Sequence, residues 1–374
     1  VGIQDLKAPN ASIWLSGNAF SALAGSAPSI TTGTLIFDQL DGDVGSTSAP
    51  LRTAISNVAG STASSLALAN NNALSIDNVS DRTGTRSFDG LSTSGSSAIT
   101  TNTGAITIAG SLTSSGADLT LNSAADLNLQ TTATLTTSGT GNLNLNAAGT
   151  INAVPGSNAE LNSSGATSFS AENLILRGVI NTAGAINTNL RAADLQLRSY
   201  LTPAQISALI EAGIDASDLD GDTANGELTT DFILGGTLSS TAPAGLSINH
   251  DQLLASTGNI NSKADLNLSS TGDLLLLGNL TSAADLSLQA PSGNLRSTTS
   301  SRIQTTADGA LTLSSGSDAV LNGVILAGAS DTSTGPEWRT ASSTLTIDAS
   351  GRLTLAGASA TAGSTAISAP SIAI

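Results

Sequence analysis

The sequence predicts an all-β fold, a parallel β-solenoid of about three short strands per 20–24-residue coil with one short helical insertion. Three observations predict it. Apolar residues recur every eight positions at Leu119, Leu127, Leu135, Leu143 and Ile151. A longer superperiod follows, with Leu246, Leu266 and Leu286 spaced by twenty. Only 2% of the 374 residues are aromatic while 39% are hydrophobic. Burial must therefore come from many small aliphatic contributions instead of large rings, which suits a thin, repetitive core. That evenly patterned apolar content also argues against a wholly disordered chain, despite the abundance of Ser, Thr and Gly.

The elements follow in chain order. Residues 1–60 hold Trp14, Phe20 and Phe37 and irregular strands such as Thr34-Leu35-Ile36-Phe37. We expect an irregular start or a capping region there, because an open solenoid end exposes strand edges and core. Residues 61–197 are expected to be solenoid. Segments such as Ala117-Asp118-Leu119-Thr120-Leu121 and Ala125-Asp126-Leu127-Asn128-Leu129 alternate apolar and polar, the mark of a strand with one buried face. Gly, Ser, Asn and Thr between them turn the chain. Eight-residue hairpins in a meander would give the same local spacing, but not the twenty-residue superperiod, and Asn-Gly and Asp-Gly turns are uncommon between the strands. The expected inward set includes Ile106, Ile108, Leu119, Leu121, Leu127, Leu129, Leu143, Leu145, Leu266, Leu268, Leu286, Leu288, Leu311 and Leu313.

Residues 198–231 break the pattern. Thr202-Pro203-Ala204-Gln205 supplies an N-cap, a proline at the first helical position and a glutamine at the third. Ile206, Leu209 and Ile210 recur at helical spacing, and Gly213 is placed to end the helix. This predicts a helix over 203–212, on an insertion that leaves one corner of the solenoid. The strand pattern resumes at Phe232-Ile233-Leu234 and continues over residues 232–374, with Ile260, Leu274 and Leu280 inside the superperiod.

Charge narrows the function. The formal net charge is −16, and the twelve Lys and Arg are scattered singly, which excludes nucleic acid as the expected partner. No run of 18 apolar residues occurs, so no transmembrane helix is expected. There is no Cys, hence neither disulfides nor thiol chemistry. The chain opens Val-Gly-Ile-Gln and contains no Met, so we expect a processed or excerpted piece of a longer protein.

The leading candidate site follows the helix, in Asp218-Leu219-Asp220-Gly221-Asp222-Thr223-Ala224-Asn225-Gly226-Glu227. Three carboxylates at alternate positions can converge on one hard cation, and Ca2+ takes six to eight oxygen ligands. The expected metal ligands are Asp218, Asp220, Asp222 and Glu227. The run resembles the first half of an EF-hand-type calcium loop, but glycine stands at the fourth position and Thr229 replaces the bidentate Glu at the twelfth. A solvated acidic turn is the plainer alternative. A weaker echo, Asp38-Gln39-Leu40-Asp41-Gly42-Asp43, is expected to be a turn.

No catalytic residues are expected. His250 lies in Ile248-Asn249-His250-Asp251 without a nearby Ser or Cys motif and is expected to be a surface turn residue. Asp118, Asp126, Asp265, Asp273 and Asp285 recur just before strands, which suits turn-forming side chains bonding their local backbone better than catalytic pairs. Thr131-Thr132 and Thr136-Thr137 hint at ice binding, but Thr-x-Thr ranks are not sustained.

With these repeats, the chain resembles the filamentous-haemagglutinin-type adhesins of bacteria. The likeness rests on Gly104 to Ile151 and Gly258 to Leu313, in Gly-Asn-Leu-Asn-Leu-Asn-Ala-Ala-Gly and Ser-Ala-Ala-Asp-Leu-Ser-Leu-Gln-Ala. The resemblance implies a right-handed β-helix, export across the outer membrane and an extracellular place at the bacterial cell surface. The expected function is thus a non-catalytic structural or adhesive stalk, calcium-stabilised at the insertion. Its expected partners are other copies of itself, neighbouring segments of a longer chain, or a glycan or protein on a host or cell surface. A polysaccharide-processing β-helix enzyme and a self-assembling matrix filament subunit are the alternatives.

Overall fold

A computed structural model describes residues 1–22, 27–80, 85–154, 159–222, 226–243, 245–332, 335–338, 342–357, 359–361 and 363–374. The chain forms two compact units, Val1–Ala183 and Gly184–Ile374. Each is a parallel β-solenoid.

In the first unit the eight-residue repeat builds three strands per coil. Leu119–Ser123, Leu127–Leu129 and Thr134–Thr137 make one coil, and Leu143–Ala147, Ile151–Ala153 and Glu160–Ser163 the next. Each strand pairs in parallel with its counterpart one coil away, Leu119 with Leu143, Leu127 with Ile151 and Leu135 with Leu161. Leucine lies on leucine because the alternation permits one inward register only; a slip of one residue would turn every Leu to solvent. All fourteen residues of the expected inward set are buried.

Residues 1–60 are irregular yet coiled. Leu6–Leu15 pairs in parallel with Ile30–Leu40, and Ile30–Leu40 with Asn57–Thr62. The register shifts between Ala8 and Ser12 and again between Phe37 and Leu40. Gln39 takes a φ of 51° at the second shift, which lets Phe37 and Leu40 both point inward.

In the second unit the twenty-residue superperiod stacks three columns. One holds Leu246–His250, Leu266–Ser270 and Leu286–Ala290, continuing to Ser364–Ser368. The second runs through Leu254–Ser256 and Leu274–Leu276, the third through Asn259–Ser262 and Asn279–Ser282. Short coils bring corners so close that side chains are excluded. A Cβ on Gly278 would lie 1.7 Å from the Gly258 carbonyl oxygen, and one on Gly258 1.9 Å from that of Gly236.

One corner motif recurs in both units. An inward serine donates its hydroxyl to the carbonyl of the residue three positions on, Ser123 to Asp126 at 2.7 Å, Ser262 to Asp265 at 2.9 Å, Ser282 to Asp285 at 2.8 Å and Ser315 to Asp318 at 2.8 Å. The aspartate side chain then accepts a backbone N–H from the next coil. Asp118 Oδ1 takes Asn142 N–H at 2.8 Å, Asp126 takes Thr150 at 2.9 Å, Asp273 takes Asn294 at 2.8 Å and Asp285 takes Ala310 at 2.8 Å. The expectation of bonds to the local backbone is therefore corrected. These carboxylates tie coil to coil, because the corner donors left over by the strand ladder face the preceding coil.

The insertion begins and ends in a two-residue antiparallel clamp, Leu195 with Thr230 and Gln196 with Thr229. Helix α1 spans Pro203–Glu211, with Thr202 and Gln205 forming a reciprocal capping box and Gly213 at φ +87° past its end. The insertion does not stand away from the corner. Leu197, Leu209, Ile214 and Leu219 pack on Ile233, Leu253, Ala255, Leu275 and Leu277 of the solenoid. Arg296 also donates to the Ala212 carbonyl at 2.7 Å, at the C-terminus of α1. Two further excursions are antiparallel hairpins, Asn78–Ser80 with Ser87–Asp89 in the first unit and Ala329–Thr332 with Gly335–Trp338 in the second. The sequence pattern did not announce either.

Candidate functional site

Two places hold chemistry: the acidic end of the insertion and a cleft beside it. In the acidic segment, Asp215 caps the short 3-10 turn Ala216–Leu219. The N–H and the hydroxyl of Ser217 donate to its carboxylate and hold it below the usual carboxylate range. Asp218 lies within that turn, and its carbonyl accepts the Leu228 N–H at 2.9 Å, which closes the loop. Asp220 Oδ1 accepts the Asp222 N–H at 2.7 Å, and Glu227 Oε1 accepts the Gly221 N–H. Two of the four expected ligands thus bond the loop's own backbone. The other Glu227 oxygen, Oε2, is buried without a hydrogen-bond partner among the described residues. No group of three or more His, Cys, Asp or Glu that could hold a metal ion occurs among the described residues. Thr223, Ala224 and Asn225 lie outside the described residues.

The expectation of a turn around Asp38 is corrected: Asp38, Gln39 and Leu40 belong to the strand Ile30–Leu40, and only Asp41 and Gly42 bend. Asp43 accepts the Ser64 hydroxyl and the Ser65 N–H from the next coil, which hold its carboxyl below the ordinary range. Asp38 pairs with Arg86, whose guanidinium covers Trp14 at 5.3 Å and Phe88 at 5.9 Å.

His250 is not a surface turn residue. It occupies the last inward position of Leu246–His250, and its side chain is 4% exposed. Asp231, equally buried, accepts the Nε2–H at 2.6 Å, and the Phe232 ring meets the imidazole edge-on at 5.8 Å. Asp231 and Phe232 begin the chain's return from the insertion, so the topology brings together two residues that the sequence separates by nineteen. The sequence held one signal of this. In an Leu-x-Ile-x-His alternation the histidine falls in phase with the buried positions.

The pair borders a cleft of about 230 Å³, lined chiefly by Thr188, Asn189, Arg191, Asn249, Asp251 and Gln252. The chain leaves the coil at Leu190 toward the clamp at Leu195, and the cleft lies against that departure. The Thr188 hydroxyl donates to the Asn249 carbonyl at 3.4 Å.

No helix among the described residues is long and apolar enough to cross a membrane. No family model, no curated protein and no solved structure matches this chain.

Proposed function

We propose that the chain is a non-catalytic, extracellular segment of a bacterial surface stalk or fibre that contributes to adhesion. The observation that carries this reading is the corner motif. Coil after coil, the same Ser position closes the corner and the same Asp position ties it to the next coil, an investment in mechanical continuity along each stack. The Ser/Thr/Gly-rich, Cys-free composition and the adhesin-like repeats support the location. Beads coated with the protein are expected to hold to glycan- or protein-coated surfaces while releasing no reducing ends from a panel of acidic and neutral polysaccharides. Release of reducing ends, abolished by a single carboxylate substitution, would reverse the assignment in favour of a polysaccharide-processing enzyme.

Within this reading the insertion takes Ca2+. Its support is the run of alternate carboxylates and the buried, unpartnered Glu227 Oε2, an oxygen that a hard cation would satisfy. Calcium at about a hundred times its Kd is expected to stabilise the fold by about 2.7 kcal/mol, seen as a raised melting temperature that Asp220→Ala removes. A melting temperature unmoved at millimolar calcium, or moved equally in Asp220→Ala, would discard the ion.

A further inference from the structure

We propose that the cleft beside His250 binds a single neutral sugar ring, one of whose hydroxyls donates to His250 Nδ1. The inference stands apart from the adhesive reading, since it concerns what the cleft recognises and not what the chain does with it.

The argument starts from a residue that packing does not require. Where His250 lies inward, its partner in the next coil is Ser270, and farther along the column Ala290 faces Ser315. Small side chains suffice at this corner, so a histidine with its own buried aspartate is an exception that calls for a cause. Asp231 secures Nε2 and fixes the ring's orientation. A carboxylate only accepts, so in the neutral imidazole the proton sits on Nε2 and Nδ1 presents a lone pair. Nδ1 makes no hydrogen bond among the described residues, and it is not among the side-chain atoms sealed from solvent without a partner. His250 itself lines the cleft. The result is a held acceptor awaiting a donor.

The rest of the lining selects the ligand class. Asn189, Asn249 and Gln252 each offer an amide donor and acceptor, while Arg191 and Asp251 contribute opposite charges. Such a wall suits a neutral molecule whose hydroxyls both donate and accept. A volume of about 230 Å³ is below the roughly 300–1,000 Å³ of pockets for drug-sized ligands, which fits one ring better than a chain.

The protein contains one histidine, so its imidazole nitrogens are read without ambiguity. Histidine-15N-labelled protein is examined by NMR at pH 8. The free protein is expected to show the Nε2–H tautomer. Titration with glucose, galactose, mannose, N-acetylglucosamine and their methyl glycosides is expected to shift Nδ1 saturably for at least one sugar. Asn249→Ala, on the exposed wall, should weaken that binding about fivefold to tenfold, the loss of one hydrogen bond. A proton on Nδ1 in the free protein, no Nδ1 shift with any sugar, or a shift indifferent to Asn249→Ala overturns the site. Bead adhesion that persists after any of these outcomes would leave the adhesive reading intact.

Discussion

At the scale of single residues, this fold is a problem of corner donors. The strands satisfy their own ladder, but each turn leaves backbone N–H groups beside the preceding coil, and unpaired donors are costly once partly buried. Aspartate answers with an acceptor, and asparagine answers equally well. Asn142 Oδ1 accepts the Ala166 N–H at 2.9 Å, and Asn294 Oδ1 the Asp318 N–H at 3.2 Å. Charge is therefore incidental to the task. Asp285→Asn is expected to be near neutral for stability, whereas Asp285→Ala should cost about 1 kcal/mol in urea denaturation by losing the bond to Ala310. The inward leucines were legible from alternation alone. The direction of the aspartate bonds was not, because a sequence shows which residue favours a turn but not which coil offers the donor. His250 was misread for a related reason. Its partner Asp231 lies nineteen residues earlier, just past the end of the insertion and out of reach of any local motif.

At the scale of elements, the insertion shows how a long departure is made stable. Its helix was legible almost to the residue, because Thr202, Pro203 and Gln205 write the capping box locally. Its docking was written elsewhere, in the unbroken run Leu274-Leu275-Leu276-Leu277. All four are buried. Alternation would leave Leu275 and Leu277 facing water, and the insertion covers them instead. A helix of nine residues has little stability alone, so its order depends on that contact. Leu275→Asp is expected to release the insertion while leaving the stack folded. Hydrogen exchange should then show protection lost over 197–219 but retained over 266–270 and 286–290; loss across both regions would mean that the insertion holds the coils together. The two hairpin excursions went unread because short antiparallel strands in Ser- and Thr-rich sequence look like any other coil strand. The acidic segment was legible as a cluster, but its geometry depends on which backbone N–H each carboxylate takes, and spacing does not determine that.

At the scale of the molecule, superperiods were the most informative signal. A spacing of eight says only that strands are short. The return of leucine after 20 residues, at Leu246, Leu266 and Leu286, says that like strands lie on like, whereas the 24-residue coil of the first unit is seen only in the pairing of Leu119 with Leu143. The account's central claim is that parallel, in-register stack. It has a direct test, helped by the absence of native cysteine. Thr120 and Asn144 are partners on adjacent coils, facing outward from the buried positions, and adjacent strands lie about 4.8 Å apart. Nitroxide labels on Thr120→Cys/Asn144→Cys are expected to show strong dipolar broadening, and on Thr120→Cys/Asn128→Cys none beyond that of singly labelled controls. Strong coupling between 120 and 128 with none between 120 and 144 would describe a meander of hairpins and contradict the solenoid.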